Sequence, residues 1–154
     1  MTRPRNGFEI IFLLGGTFRR LIDDLHRELA AQGHGAARPI HGFALQAIGP
    51  EGVSISELGR RLGVSKQAAA RTAKSLESGG YVTRHPGIDD GRAVLLKRTE
   101  RAEKMLALSA RFFEVQMREW RNVLGQDRFD TMVESLAVIG EGTRLGDFPG
   151  WLGP

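Results

Sequence analysis

One segment, Ile55–Glu77, constrains the fold of this chain more than any other; it reads ISELGRRLGVSKQAAARTAKSLE. Two short helices in close contact need a tight turn between them, and glycine tolerates the positive φ of such a turn. Gly63 lies at that point, and Gly59 leaves room for the helices to approach. The segment therefore predicts a helix-turn-helix with helices at about Ile55–Leu62 and Ser65–Ser78.

The second of these helices has two distinct faces. Ala69, Thr72, Ala73 and Leu76 follow the spacing i, i+3, i+4, i+7, so they face inward together. Ser65 is the expected N-cap, which puts the positive end of the helix dipole at this end. The opposite face then presents Ser65, Lys66, Gln67, Ala70, Arg71 and Lys74.

The outward side chains suit recognition of duplex DNA. Gln67 can pair with adenine and Arg71 with guanine in the major groove, whereas Lys66 and Lys74 suit phosphates. The small residues Ala68–Ala70 would let the helix lie deep in the groove. The alternative is an amphipathic helix whose basic face only meets water.

The remaining pattern predicts a mainly α fold with one β-hairpin. Apolar residues alternate spacings of three and four along the first long helix and again along the helix that follows the hairpin. The expected strands are separated by a polar, partly basic loop at residues 86–92. The tail from Gly146 is too rich in Gly and Pro for a helix, and its Phe148 and Trp151 either pack on the terminal helices or are disordered. The expected elements are helices Phe8–Gln32, Pro39–Ile48, Thr99–Leu124 and Asp127–Ile139, and strands Tyr81–His85 and Ala93–Lys97.

The positive charge of the chain is concentrated in its middle. Residues 36–98 contain ten Lys/Arg and five Asp/Glu, a net charge of +5, whereas the rest of the chain carries −1. A localised basic surface suits a polyanionic partner. An ordinary solvated distribution of charge is the alternative.

Several classes of protein are not supported by the sequence. Cysteine is absent, which excludes disulfides, thiolate zinc sites and cysteine redox sensing. The apolar run Ile10–Leu14 is too short for a signal peptide or a membrane span, so we expect a cytoplasmic protein without membrane contact. The four histidines lack paired ligand spacing and no Ser-His-Asp set is evident, so we expect surface or interface histidines, no metal, no cofactor and no enzymatic activity.

Residues 62–84, LGVSKQAAARTAKSLESGGYVTR, resemble the turn, recognition helix and first wing strand of the MarR family. Gly80-Tyr81-Val82 stands in the place of the family's Gly-Leu-Val, and Asp90-Gly91-Arg92 matches its Asp-x-Arg wing motif. Residues 98–102 are similar to the family's Leu-Thr-x-x-Gly, with Arg98 and Ala102 as departures outside the expected DNA-reading face.

The resemblance implies a winged helix-turn-helix that regulates transcription. Arg92 would enter the minor groove, Asp90 would orient it or a neighbouring arginine, and Arg84 with His85 would contact the DNA backbone. The terminal helices, in residues 1–35 and 99–154, would intertwine in a homodimer and flank the DNA-binding region 36–98. Such a dimer would bind a pseudo-palindromic operator, as a repressor relieved by a small aromatic effector.

Three alternatives remain open. The long helices could pack as a bundle within one chain instead of forming a dimer. The winged helix could be a protein-interaction module without DNA binding, although its basic face argues against that reading. A small enzyme on the same scaffold would need a catalytic set that the sequence lacks.

Overall fold

The computed structural model describes residues 6–87 and 93–147. These residues form six α-helices and a small antiparallel sheet, so the expected mainly α fold with a hairpin is confirmed. Helix bounds agree with the sequence predictions to within a few residues. The elements are α1 (Gly7–Leu29), α2 (Pro39–Ile48), β1 (Val53–Ser54), α3 (Ile55–Leu62), α4 (Lys66–Ser78), β2 (Val82–Pro86), β3 (Val94–Arg98), α5 (Glu100–Leu124) and α6 (Gln126–Ile139).

Helix α1 continues into an irregular hinge before α2 begins. The Asn6 side chain caps its first turn by accepting a hydrogen bond from the Glu9 amide at 3.0 Å. After Leu29 the chain forms a π-helical turn, Ala30–His34, in which Gly33 has φ +89°. The hinge thus joins the N-terminal helix to the rest of the protein through a left-handed residue.

The helix-turn-helix forms as the sequence predicted. Gly63 ends α3 with φ +64°, and the side chain of Ser65 caps α4 by accepting from the Ala68 amide at 3.1 Å. A Cβ atom on Gly59 would lie 3.2 Å from the Val64 carbonyl oxygen, so glycine permits the close approach that the sequence implied. The apolar residues that join α3 to α4 are fully buried: Leu58, Leu62, Ala69, Ala73 and Leu76.

The sheet contains a strand that the sequence analysis missed. β1 pairs with β3, which pairs in turn with β2, all antiparallel. Because β1 has only two residues, it produces no periodic pattern, and pairing of Val53 with Leu96 forms it. The two hairpin strands lie one residue further along the chain at each end than expected.

The core lies where α2, α3, α4 and the sheet meet the C-terminal end of α1 and the first turns of α5. The two residues that depart from the resembled motif lie beside this core: Ala102 is fully buried, and Arg98 Nε lies 2.8 Å from Glu103 Oε1. By contrast, the far ends of the terminal helices leave large apolar side chains exposed. Phe8 is 74% exposed, Phe12 73%, Val123 83% and Ile139 75%.

The C-terminal segment returns to the helix-turn-helix. Leu145–Asp147 form a short 3-10 turn after α6, and a Cβ atom on Gly63 would lie 2.6 Å from the Gly146 carbonyl oxygen. The segment therefore packs directly on the turn between α3 and α4. Phe148 and Trp151 lie outside the described residues.

Candidate nucleic-acid interface

The N-terminus of α4 is an exposed, electropositive end of a thirteen-residue helix. Only the Ala68 amide is capped, by Ser65, so the other first-turn N–H groups remain available to a partner. Ser65, Lys66 and Gln67 are all exposed at this end. The arrangement can accept an anion on the backbone and flank it with side-chain donors.

The outward face of α4 is polar and unpaired. Arg71 and Lys74 are exposed, and Ala70 is half-buried between them and the first turn. Within residues 6–87 and 93–147, the side chains of Lys66, Gln67, Arg71 and Lys74 form no hydrogen bond or ion pair with one another or with other residues. Four donor groups on one face thus have no internal partner.

Nearby arginines on α3 differ because they are used internally. Both Arg60 and Arg61 donate to the Glu57 carboxylate, at 2.7 and 2.8 Å for the shortest contacts. Hydrogen bonds from Arg61 and then Arg60 are the main cause that lowers the pKa of Glu57. Arg61 also donates to the Ala47 carbonyl oxygen at 2.8 Å, which ties α3 to α2. These arginines orient the helix pair rather than extending the unpaired face.

Strand β2 is anchored to α4. Arg84 Nε, on β2, lies 2.8 Å from Glu77 Oε2 near the end of α4. Arg84, expected to contact the DNA backbone, is therefore engaged in an ion pair, with 34% of its side chain exposed. Asp90 and Arg92, the expected wing-tip pair, lie outside the described residues.

Helix α4 is also held from behind by a buried histidine. His41, on α2, is 3% exposed, and its Nε2 lies 3.0 Å from Ser75 Oγ while its Nδ1 accepts from the Arg38 amide at 3.1 Å. Burial, then the charges of Arg38 and His26, lower the pKa of His41 to about 4. His34 is buried as well, at 5% exposure. The expectation that the histidines lie at surfaces or interfaces was wrong for these two in the folded chain, because long-range packing buries them.

A cavity of about 190 Å³ opens where α1, α2 and α5 meet. His26 is one of its few polar groups; Nδ1 lies 3.1 Å from the Ala37 carbonyl oxygen, and burial lowers the pKa of the ring. Because Nδ1 donates to that carbonyl, Nε2 of the neutral ring is left as an acceptor. No group of metal-binding side chains occurs among the described residues. The cavity is lined by Ile22, Leu25, His26, Leu29, Pro39, Gly42, Phe43, Gln46, Met105, Leu106, Ser109 and Phe113.

A family comparison matches the part of the chain that carries these features. Residues 38–93, from the N-cap of α2 through β2 to the residue before β3, match the sequence pattern of the MarR family. The winged helix-turn-helix region is therefore similar to that of the MarR family. A comparison with curated protein sequences finds no significant match.

Several solved structures share the fold over most of the chain. The transcriptional regulator Tm0710 from Thermotoga maritima is 25% identical, with a TM-score of 0.61 over 88% of this chain and 92% of its own. Apo MarR from E. coli is 21% identical, with a TM-score of 0.65 over 89% and 98%. FabT from Streptococcus pneumoniae, solved in complex with DNA, is 19% identical, with a TM-score of 0.71 over 87% and 94%.

The MarR-type fold thus extends beyond the matched region to the terminal helices. In the part of the chain that the structure describes, none of these helices is long and apolar enough to cross a lipid bilayer.

Proposed function

We propose that this chain binds duplex DNA as a homodimer and regulates transcription. The observation that carries the proposal is the unpaired outward face of α4, where Lys66, Gln67, Arg71 and Lys74 have no partner among the described residues. An exposed row of donors next to a helix N-terminus is the arrangement needed to bind phosphates and read bases. The complex of FabT with DNA, in a protein of similar fold, adds support.

Within this proposal the residues have separate roles. Gln67 and Arg71 read base edges in the major groove, and Lys66 and Lys74 neutralise phosphates. Ser65 holds the first turn of α4, and the small side chain of Ala70 lets the helix approach the bases. On the wing, Arg84 leaves its ion pair with Glu77 and contacts a phosphate of the DNA backbone. Arg92 enters the minor groove, and Asp90 orients Arg92.

The exposed apolar ends of the terminal helices support a homodimer. The described helices of a single chain leave Phe8, Phe12, Val123 and Ile139 largely in water, so packing within one chain does not cover them. An apolar surface of this kind indicates an interface. A second copy with the same surface covers it by two-fold symmetry, with residues 1–35 and 99–154 forming the interface. Two recognition helices about 34 Å apart would then read a pseudo-palindromic operator.

The cavity supports a repressor that is relieved by a ligand. It lies between α1 and α5, which belong to the dimerisation region, and α2, which belongs to the DNA-binding region. Its wall is mostly apolar, and no lysine or arginine lines it, so a small, neutral aromatic molecule fits better than a carboxylate. A ligand that wedges these helices apart would change the distance between the two α4 helices.

The experiment that tests DNA binding is fluorescence anisotropy with the duplex upstream of the protein's own gene. A scrambled duplex serves as competitor, at two salt concentrations. Arg71→Ala is compared with Lys104→Ala, which removes one positive charge from an exposed ion pair with Glu100 on α5. We expect binding that resists the competitor and weakens steeply with salt, and a loss of roughly five- to hundredfold for Arg71→Ala only.

Two results would contradict the proposal. Equal, weak binding of both duplexes, repeated with duplexes selected from random DNA, would favour a protein-interaction module. Equal losses in Arg71→Ala and Lys104→Ala would show that α4 has no special role and that only net charge matters.

A further inference from the structure

A buried polar cluster joins the end of the N-terminal helix to the end of the recognition helix. His34 closes the π-helical turn after α1, and its Nδ1 lies 2.7 Å from the Tyr81 hydroxyl oxygen. Tyr81 follows α4 after Gly79 and Gly80, and it is 1% exposed. One buried hydrogen bond therefore connects two elements that are 47 residues apart in sequence.

Arg101, in the first turn of α5, completes the cluster. Its guanidinium carbon lies 4.9 Å from the centre of the Tyr81 ring, in cation–π geometry. Nε donates to the Gly79 carbonyl oxygen and Nη2 to the Gly33 carbonyl oxygen, each at 3.0 Å. The same side chain thus holds the hinge after α1 and the end of α4 in one arrangement.

The bond to His34 depends on a residue in which this chain departs from its family pattern. Tyr81 stands where Gly-Leu-Val has leucine, and leucine has no hydroxyl group. Tyr81 is also the single tyrosine of the chain.

Uptake of a proton by His34 destabilises this cluster, although the Tyr81 hydroxyl oxygen can still accept a hydrogen bond from the imidazolium. The neutral ring can accept the Tyr81 hydroxyl proton or donate its own, but the imidazolium can only donate. It would also place a positive charge on a ring that is only 5% exposed, next to the guanidinium of the exposed Arg101. Burial, then the charge of Arg101, lower the pKa of His34. Among the described residues, two titratable or charged groups face His34: Tyr81, from the segment after α4, and Arg101, from α5. No carboxylate among them offsets the free-energy cost of a charged His34 ring.

We propose that His34, Tyr81 and Arg101 form an acid-sensitive latch between the hinge after α1 and the end of α4, which opens when His34 is protonated. Closed, the latch fixes the angle between the N-terminal helix and the recognition helix. Open, it releases the α4 helices of a dimer from their fixed spacing, which lowers affinity for an operator with two half-sites. This last consequence rests on the proposed DNA binding, whereas the latch itself does not.

The latch can be observed without DNA because the chain has one tyrosine. Tyrosine labelled with ¹³C at Cζ gives a single resonance, followed by NMR from about pH 7.5 to 4.5. We expect it to titrate in the wild type and in His41→Gln, which removes another buried histidine, but not in His34→Gln. Hydrogen exchange at the amides of Ala37, Gly80 and Tyr81, which are bonded in the folded chain, should show smaller protection factors at acid pH, after correction for the slower intrinsic exchange there.

Tyr81→Phe keeps the ring over Arg101 but removes the hydroxyl group, so it opens the bond to His34 without acid. At about pH 7.5 it should accelerate exchange at the same three amides and raise the Kd for DNA roughly fivefold or more. Its further loss of affinity at acid pH should be smaller than that of the wild type. Far-UV circular dichroism and light scattering at each pH would show that the fold and the assembly persist.

The outcomes separate the latch from DNA binding. A Tyr81 resonance that does not respond to His34, or amides that exchange alike in Tyr81→Phe and wild type, would overturn the latch. If the latch opens but the Kd is unchanged, its coupling to DNA is refuted. If no duplex binds at any pH while the NMR titration and exchange behave as expected, the proposed function fails and the latch stands.

Discussion

The buried His41 should make the stability of the fold depend on pH in a defined window. The neutral ring is the form that the folded chain favours, because burial is the largest cause that lowers the pKa of His41 from 6.5 to about 4. Well above pH 6.5, the ring is neutral in both the folded and the unfolded chain, so His41 contributes no pH dependence to the free energy of unfolding there. As the pH falls toward about 4, the unfolded chain binds a proton that the folded chain does not, and stability decreases.

The size of this effect follows from the shift. A difference of about 2.5 pH units, at about 1.4 kcal/mol per unit, corresponds to a loss on the order of 3 kcal/mol across the whole window. Between about pH 7.5 and 5, roughly 2 kcal/mol of that loss should appear. His41→Gln keeps a donor and an acceptor for Ser75 and Arg38 but cannot titrate, so this part of the pH dependence should disappear.

The assay is urea unfolding of the wild type and of His41→Gln at both pH values, at one fixed protein concentration. His34 and His85 titrate in both proteins and cancel in the comparison, and the interaction of His26 with His41 is the last of the three causes that lower the pKa of His41. The free energy of unfolding should fall by about 2 kcal/mol more in the wild type than in the variant. Equal losses in the two proteins would refute the reasoning, and so would an NMR pKa for His41 near 6.5.

Three further changes have expected outcomes. Gly63→Ala forces a residue with a Cβ atom into φ +64° and brings that atom 2.6 Å from the Gly146 carbonyl oxygen. Thermal unfolding should therefore show that the free energy of unfolding falls by about 1–3 kcal/mol. The control Gly42→Ala, which has no atom within 4 Å of its added Cβ, should show a smaller loss. Ser65→Ala removes the cap on the Ala68 amide, and urea unfolding should show a loss of about 1 kcal/mol that Ser65→Asp largely restores. Val123→Glu puts a charge on an exposed apolar end of α5, which would disfavour burial of that end against a second chain. Light scattering at micromolar concentration should therefore give the mass of a monomer for the variant. A wild type that is already monomeric would contradict the proposed dimer.

The sequence alone determined the elements whose signals are local. The bounds of α3 were predicted without error, because apolar spacing and a turn glycine mark them within a few residues of chain. The two faces of α4 were also predicted: its inward Ala69, Ala73 and Leu76 are buried, and Lys66, Gln67, Arg71 and Lys74 are exposed. For a helix, the period of 3.6 residues relates sequence directly to burial.

Only the tertiary structure decided the features that depend on distant parts of the chain. The strand β1 exists because Val53 meets Leu96, and the partners of Arg84 and His41 come from other elements. The His34–Tyr81 bond spans 47 residues, so no local pattern around either residue could indicate it. Periodicity reports which side of an element is buried, but the partner that buries a polar group is set by packing of the whole chain.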